Sequence, residues 1–249
     1  MDEQPITKEE RRQRRRDERE SQSRLDFRHR FTRRVVIWTI VVAVLVGIGW
    51  LMFREAGNLP QTTDGTLSVP VSASDLITGP ASASVTLLEY SDFQCPACGA
   101  FHPILQQFLA DPQASGKVRL VYRYFPLRTI HANAQGSAQA AQAASLQGKF
   151  WQMHDRLFEQ QAAWENLSQS AAKDKFISYA GDLGIDVPKF TADFDSDAVK
   201  NAIQADYDSA VSSGVDSTPT FFVNGNKLPS PTSYDAFKSS VLQSANANQ

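Results

Sequence analysis

The two cysteines of this 249-residue chain stand three positions apart, as Cys95-Pro96-Ala97-Cys98. Thiols at this spacing can hold half of a metal site, close a structural disulfide, or cycle between dithiol and disulfide. A four-thiolate zinc site needs a second such pair, and no further Cys or closely spaced His pair remains to complete one. A structural disulfide usually closes a longer loop and has no need of a helix N-terminus or an intervening proline. The local sequence supplies both, which favours redox chemistry.

The elements around the pair explain why. Upstream, Val85 to Tyr90 is an apolar, β-branched run that reads as a strand. Downstream, Phe101, Ile104, Leu105 and Phe108 recur at helical spacing between Cys98 and Leu109. The cysteines therefore sit where a strand gives way to a helix. The first N–H groups of a helix lack intrahelical partners and the peptide dipoles add partial positive charge, so a thiolate at Cys95 is favoured. Thiols so placed have pKa values lowered from about 8.5 to roughly 3.5–7.5. Cys95 is the expected nucleophile. Pro96 fits the first helical turn, where its missing N–H costs nothing. Cys98 returns on the same face and is expected to resolve a mixed disulfide.

Charge divides the chain. Residues 1–34 hold 12 Lys and Arg against 8 Asp and Glu, whereas residues 55–249 hold 12 against 19. Between them, residues 35–53 carry no charge, with Trp38 and Trp50 near the ends. As a helix this segment spans about 28 Å, close to the hydrocarbon thickness of a bilayer. It is a predicted transmembrane anchor. A cleaved signal peptide has a shorter charged region and a shorter apolar core, so an uncleaved anchor is favoured. Arg28, Arg30, Arg33 and Arg34 precede the span and Arg54 follows it. That bias predicts a cytoplasmic N-terminus and an extracytoplasmic C-terminal domain, in a compartment where disulfides persist. Acidic residues interrupt the arginines of the tail and no aromatic stands among them before Phe27. The tail therefore reads as a solvated segment near anionic lipid, with no nucleic-acid role.

The expected organisation is a basic tail (1–34), the anchor (35–53), a linker (54–80) and one α/β domain (81–249). The linker is rich in Gly, Ser, Thr and Pro, with an edge strand considered at Leu67 to Val71. Lys117 to Tyr124 alternates as a strand. Three helices are expected over Ala132 to Gln147, Phe150 to Gln161 and Ser170 to Leu183. Asp195 is the expected N-cap of a further helix burying Val199, Ile203, Tyr207, Ala210 and Val211, and Gly214 stops it. Thr220 to Val223 then forms a hairpin through Asn224-Gly225, and Thr232 or Ser233 caps a terminal helix.

Several of these segments together resemble one family. They are a strand ending in an acidic residue, Cys-Pro-x-Cys at a helix start, Tyr-Arg-Tyr-Phe-Pro-Leu, Gly-Lys-Phe-Trp-Gln-Met-His and Ser-Thr-Pro-Thr-Phe-Phe-Val-Asn-Gly. In this order they resemble the DsbA-like thioredoxin-fold thiol:disulfide oxidoreductases over about residues 80–245. The resemblance implies a thioredoxin-like fold whose helical insertion, about residues 130–214, lies over the active-site face. It implies a cis bond between Thr218 and Pro219 beside the Cys95 sulfur, with the Thr218 backbone, Pro96 and Ala97 meeting an extended substrate. It also implies that Glu89 is a buried acid that moves the proton of Cys98, and a carboxyl on a buried strand has a raised pKa. No cofactor and no metal are expected.

Position 97 departs from the strongly oxidising members of the family, which carry His where this chain has Ala. A cation beside the Cys95 thiolate is absent there. His102, four residues beyond Cys98, has two readings, a source of some of that charge or, preferred, a surface helix residue. His131 and His154 read as packing or capping groups and not ligands, and Trp151 and Trp164 as core or groove-lining aromatics. The expected activity is introduction of disulfides into secreted or surface proteins, with their free thiols as substrates, and the resemblance implies a quinone-linked membrane partner as oxidant. The alternatives are a reductase or isomerase of the same fold, and a peptide-binding module whose disulfide is only a staple.

Overall fold

The computed structural model describes residues 65–229 and 233–246. The predicted tail and membrane span lie outside them. Among the described residues, no helix is long and apolar enough to cross a membrane.

A five-stranded sheet carries the fold. Its strands are β1 (Leu76–Thr78), β2 (Val85–Ser91), β3 (Val118–Tyr124), β4 (Thr220–Val223) and β5 (Asn226–Lys227), in the order β1-β3-β2-β4-β5. Central β2 runs parallel to β3 and antiparallel to β4. The parallel pair requires a crossover, supplied by helix α1 (Pro96–Ala110). Between β3 and β4 the chain inserts α2 (Ala134–Ser145), α3 (Phe150–Glu159), a 3₁₀ turn (Gln161–Ala163), α4 (Gln169–Asp182), α5 (Val187–Phe194) and α6 (Asp197–Ser212). Terminal α7 (Tyr234–Asn246) closes the chain.

Side chains alternate across the sheet with the period of two that a strand imposes. Val85, Leu87, Leu120, Phe221 and Val223 face α1 and α7 and bury Leu105, Phe108, Phe237 and Val241. Leu88, Tyr90, Val121 and Phe222 face the opposite way, with Ala210 of α6. Glu89 pairs in register with Tyr122 and Phe221, which puts it on the α1 side. The insertion is built around α2. Its Ala134, Ala138, Ala140, Ala141, Ala143 and Ala144 are buried, and such small side chains let helices pack closely on several sides.

Local rules explain the ends of the elements. Ser168, Asp186 and Ser196 each accept a backbone N–H at a helix N-terminus. Asn224 and Gly225 both have positive φ (49° and 85°), as a two-residue hairpin requires.

The structure corrects several expectations. The edge strand is Leu76–Thr78, antiparallel to β3, and not Leu67 to Val71. What ties this segment down is Arg123, a buried β3 guanidinium. It pairs with Asp75 at 2.7 Å and donates to the carbonyls of Val69 and Pro70. The structure adds helix α5, whose eight residues are too few for a helical period to stand out. The cap of α6 is Ser196, while Asp195 receives Lys173 Nζ at 2.6 Å. Val211 is exposed, not buried, because α6 packs through Val199, Ile203 and Ala210.

His102 is the larger correction. The apolar stripe on α1 put it at the surface, yet the inner face runs Cys98, His102, Leu105, Phe108 and leaves it 6% exposed. Helix α3 of the insertion covers this part of α1, and the His102 ring stacks 5.0 Å from Phe158. Trp164 is fully buried and Trp151 half-buried, as a core and a groove-lining aromatic respectively.

Candidate active site

Chain direction changes just after β2, and that turn is built by Asp92. Its Oδ1 accepts the N–H of Gln94 at 2.8 Å, a local side-chain turn, and its Oδ2 accepts the N–H of Leu127 at 2.9 Å and meets His131 Nδ1 at 2.7 Å. The turn delivers Cys95 as the N-cap of α1, in extended conformation, with Pro96 at the first helical position. No side chain caps this helix start, so its free N–H groups face the Cys95 sulfur.

The two thiols differ sharply in environment. Cys95 is 7% exposed and Cys98 1%. A hydrogen bond from the Cys98 thiol holds the Cys95 thiol down to about 5 against the cost of burial, helped by Thr218 and by the backbone N–H groups of Cys98 and Ala97. Burial pushes the Cys98 thiol well up, and the charges of Glu89 and Cys95 push it further. Cys95 is thus the thiolate at neutral pH and Cys98 the thiol. Such an asymmetric pair suits attack and departure at Cys95.

Each predicted site residue has a definite place. Glu89 is 3% exposed, and burial raises its carboxyl to about 7, so it exchanges a proton near neutral pH. The Thr218-Pro219 bond is cis, and the carbonyl oxygen of Thr218 lies 3.5 Å from Cys95 Sγ. Thr218 is buried and Pro219 half-buried, while Pro96 and Ala97 are exposed beside Cys95. Together they surround the reactive sulfur. Ala97 adds no charge there.

Sequence reasoning missed the clamp over this turn. Gln161, in the 3₁₀ turn of the insertion, donates from Nε2 to the carbonyls of Phe93 (2.7 Å) and Cys95 (3.0 Å). Gln94 bridges the same two parts, donating to the Glu165 carbonyl at 2.7 Å and accepting the N–H of Asn133 at 2.6 Å. Gly99 leaves room for the clamp, since a Cβ there would stand 2.5 Å from Gln161 Oε1. Asp92 carried a local signal, because an Asp two residues before an amide at a strand exit is a turn former. Gln161 carried none, because its partners lie more than sixty positions away.

His131 caps no helix among the described residues and instead holds Asp92 through Nδ1, and His154 is buried among aromatic rings of the core. Burial holds His102 down to about 4 and lowers His154 as well, so both imidazoles are neutral.

Comparison with known proteins places this geometry. The thioredoxin family model Thioredoxin_4 matches residues 72–242. A thioredoxin-like oxidoreductase from Silicibacter pomeroyi is similar at 24% identity and a TM-score of 0.58, covering 70% of this chain and 94% of that one. BdbD from Bacillus subtilis, solved in oxidised form, is similar at 21% identity and a TM-score of 0.64, over 74% of this chain and all of that one. Among curated proteins, the Na(+)/H(+) antiporter NhaA 3 of Salinispora tropica is 36% identical over 205 residues, which are 78% of this chain and 30% of the antiporter. The chain thus spans about a third of the length of the curated relatives it matches. With its family model covering the whole sheet and the helical insertion lying over the Cys95 turn, the chain belongs to the thioredoxin family and has the DsbA-like form of its fold.

Proposed function

We propose that the protein is a membrane-anchored, extracytoplasmic thiol:disulfide oxidoreductase that introduces disulfides into secreted or surface proteins. The observation that carries this is the asymmetry of the pair: a Cys95 thiol held down to about 5 at a helix N-terminus, beside a buried Cys98 thiol pushed well up. In the oxidised protein a substrate thiolate attacks Cys95 Sγ, the Cys95–Cys98 bond breaks, and Cys98 leaves and takes up a proton. Glu89, with its carboxyl near 7, is placed to pass that proton. A second substrate thiolate then attacks the substrate sulfur of the mixed disulfide, and Cys95 leaves as a thiolate. Its low pKa makes it a good leaving group. The products are a substrate disulfide and the dithiol protein, and a quinone-linked membrane partner accepts the two electrons. The Thr218 carbonyl, with Pro219, Pro96 and Ala97, holds the substrate chain during both exchanges.

The uncharged span at 35–53 and its flanking arginines support the anchored, outward orientation. Ala97 supports a second direction, a reductase or isomerase kept reduced by a membrane donor, because it leaves the Cys95 thiolate without a neighbouring cation. Trapping tests the shared chemistry. Cys98→Ala removes the thiol that displaces substrate from Cys95, so mixed disulfides formed when the Cys95 thiolate attacks a substrate disulfide are expected to accumulate and to release the substrate on reduction. Failure to trap any, from a folded variant, would count against the proposal.

A further inference from the structure

Behind the active-site turn lies a cluster that disulfide exchange does not use. His102 on α1 and His154 on α3 are 6% and 2% exposed, and Nε2 of each is buried with no hydrogen-bond partner among the described residues. Two buried imidazoles with unmet nitrogens are costly, since a polar group taken from water without a partner is destabilising. Both line one cavity of about 150 Å³, walled by Leu105, Leu109, Leu120 and Trp151. Asp155 lines it too, and its carboxylate is partly open to solvent.

We infer that His102, His154 and Asp155 form a binding site for a divalent transition-metal ion, zinc or a close relative. Each residue offers one donor atom, and the three donors lie within 4.8 Å of one another. Asp155 Oδ1 stands 2.9 Å from His154 Nδ1 and 3.7 Å from His102 Nε2. Tetrahedral zinc, with bonds of about 2.0–2.1 Å, sets its ligand atoms about 3.3 Å apart, so these separations bracket the required edge. His154 presents Nδ1 beside the carboxylate and His102 its unpartnered Nε2. A donor set of two imidazoles and a carboxylate selects zinc, cobalt, nickel or copper over calcium or magnesium, which prefer oxygen. Three protein ligands leave the fourth position to water, and Asp155 gives the ion its way in. The sequence separates His102 from His154 and Asp155 by more than fifty positions and marks His102 as surface, so nothing local announces the site. Once loaded, the ion ties α1, one turn beyond Cys98, to α3 of the insertion.

The test titrates Co²⁺ into the full-length protein with the Cys95–Cys98 disulfide closed, so that the thiolates do not compete, and follows the visible absorption of the cobalt. Saturation is expected at one equivalent, with displacement by Zn²⁺. His102→Gln and Asp155→Asn should each weaken binding tenfold or more, and Cys95→Ser/Cys98→Ser should leave it unchanged. Asp155 lies at the surface, so Asp155→Asn reports on the site even if the His102 variant fails to fold. Absence of saturable binding, or binding that Asp155→Asn leaves intact, overturns the inference.

Discussion

The sulfur of Cys95, the N-cap of α1, lies 3.5 Å from the carbonyl oxygen of Thr218, two residues before β4. Around that contact the environment of Cys95 favours the thiolate. The reduced protein should therefore alkylate at Cys95 with a pH midpoint near 5, far below the value of about 8.5 for an ordinary thiol. The sign for stability follows from the same shift. A depressed folded pKa stabilises the reduced protein fully above the pKa of the unfolded thiol, and that contribution is lost as pH falls through about 5. Iodoacetamide kinetics against pH check the first point, and urea midpoints of the reduced protein between pH 4 and 9 check the second.

Glu89 runs in the opposite direction. Its folded pKa is raised from 4.5 to about 7, so the folded state holds the proton more tightly than the unfolded chain does. Stability from this group is full below about 4.5 and falls as pH rises through about 7. Glu89→Gln should flatten that decline and make the oxidised protein more stable at pH 8, while slowing formation of the mixed disulfide because the departing Cys98 loses its proton donor. A variant that is less stable at pH 8 and exchanges normally would contradict both the burial and the relay.

The clamp from the insertion predicts a coupling. Gln161→Ala removes two bonds to the Phe93 and Cys95 carbonyls and should cost about 1–3 kcal/mol. Gly99→Ala crowds the same side chain and should displace it. The double variant should be little worse than the poorer single one, whereas additive losses in urea unfolding would show that the two residues do not act on one another.

Asp75 and Arg123 test the N-terminal segment. Asp75→Ala strands a buried guanidinium and should destabilise the protein by about 3–5 kcal/mol, because removing one partner leaves an uncompensated charge. Thermal unfolding of Asp75→Ala against Asp75→Asn, which keeps an acceptor, separates loss of the pair from loss of volume.

How much of this was legible depended on the range of the interaction. Cys95, Pro96 and Cys98 were readable because strand, turn and helix start are adjacent in sequence and obey local rules. The Asn224-Gly225 hairpin was readable for the same reason. The strand that carries Glu89 was readable from its apolar run, while the residue's burial and role were supplied by the family resemblance. Gln161 and His102 were not readable. Gln161 acts on carbonyls far away in sequence, and the burial of His102 is decided by a second layer of helices that no pattern within α1 reports. Arg123 shows the same limit, since its alternation marked a strand residue but not the Asp75 partner that orders the chain before β1.

The reduction potential of the Cys95–Cys98 pair, equilibrated with glutathione, tests the proposed role most directly. A thiolate stabilised at Cys95 favours the reduced form, and the proposal predicts a potential near or above about −180 mV. A value near about −270 mV would contradict the oxidising direction, and one below about −300 mV would contradict a redox-active pair altogether.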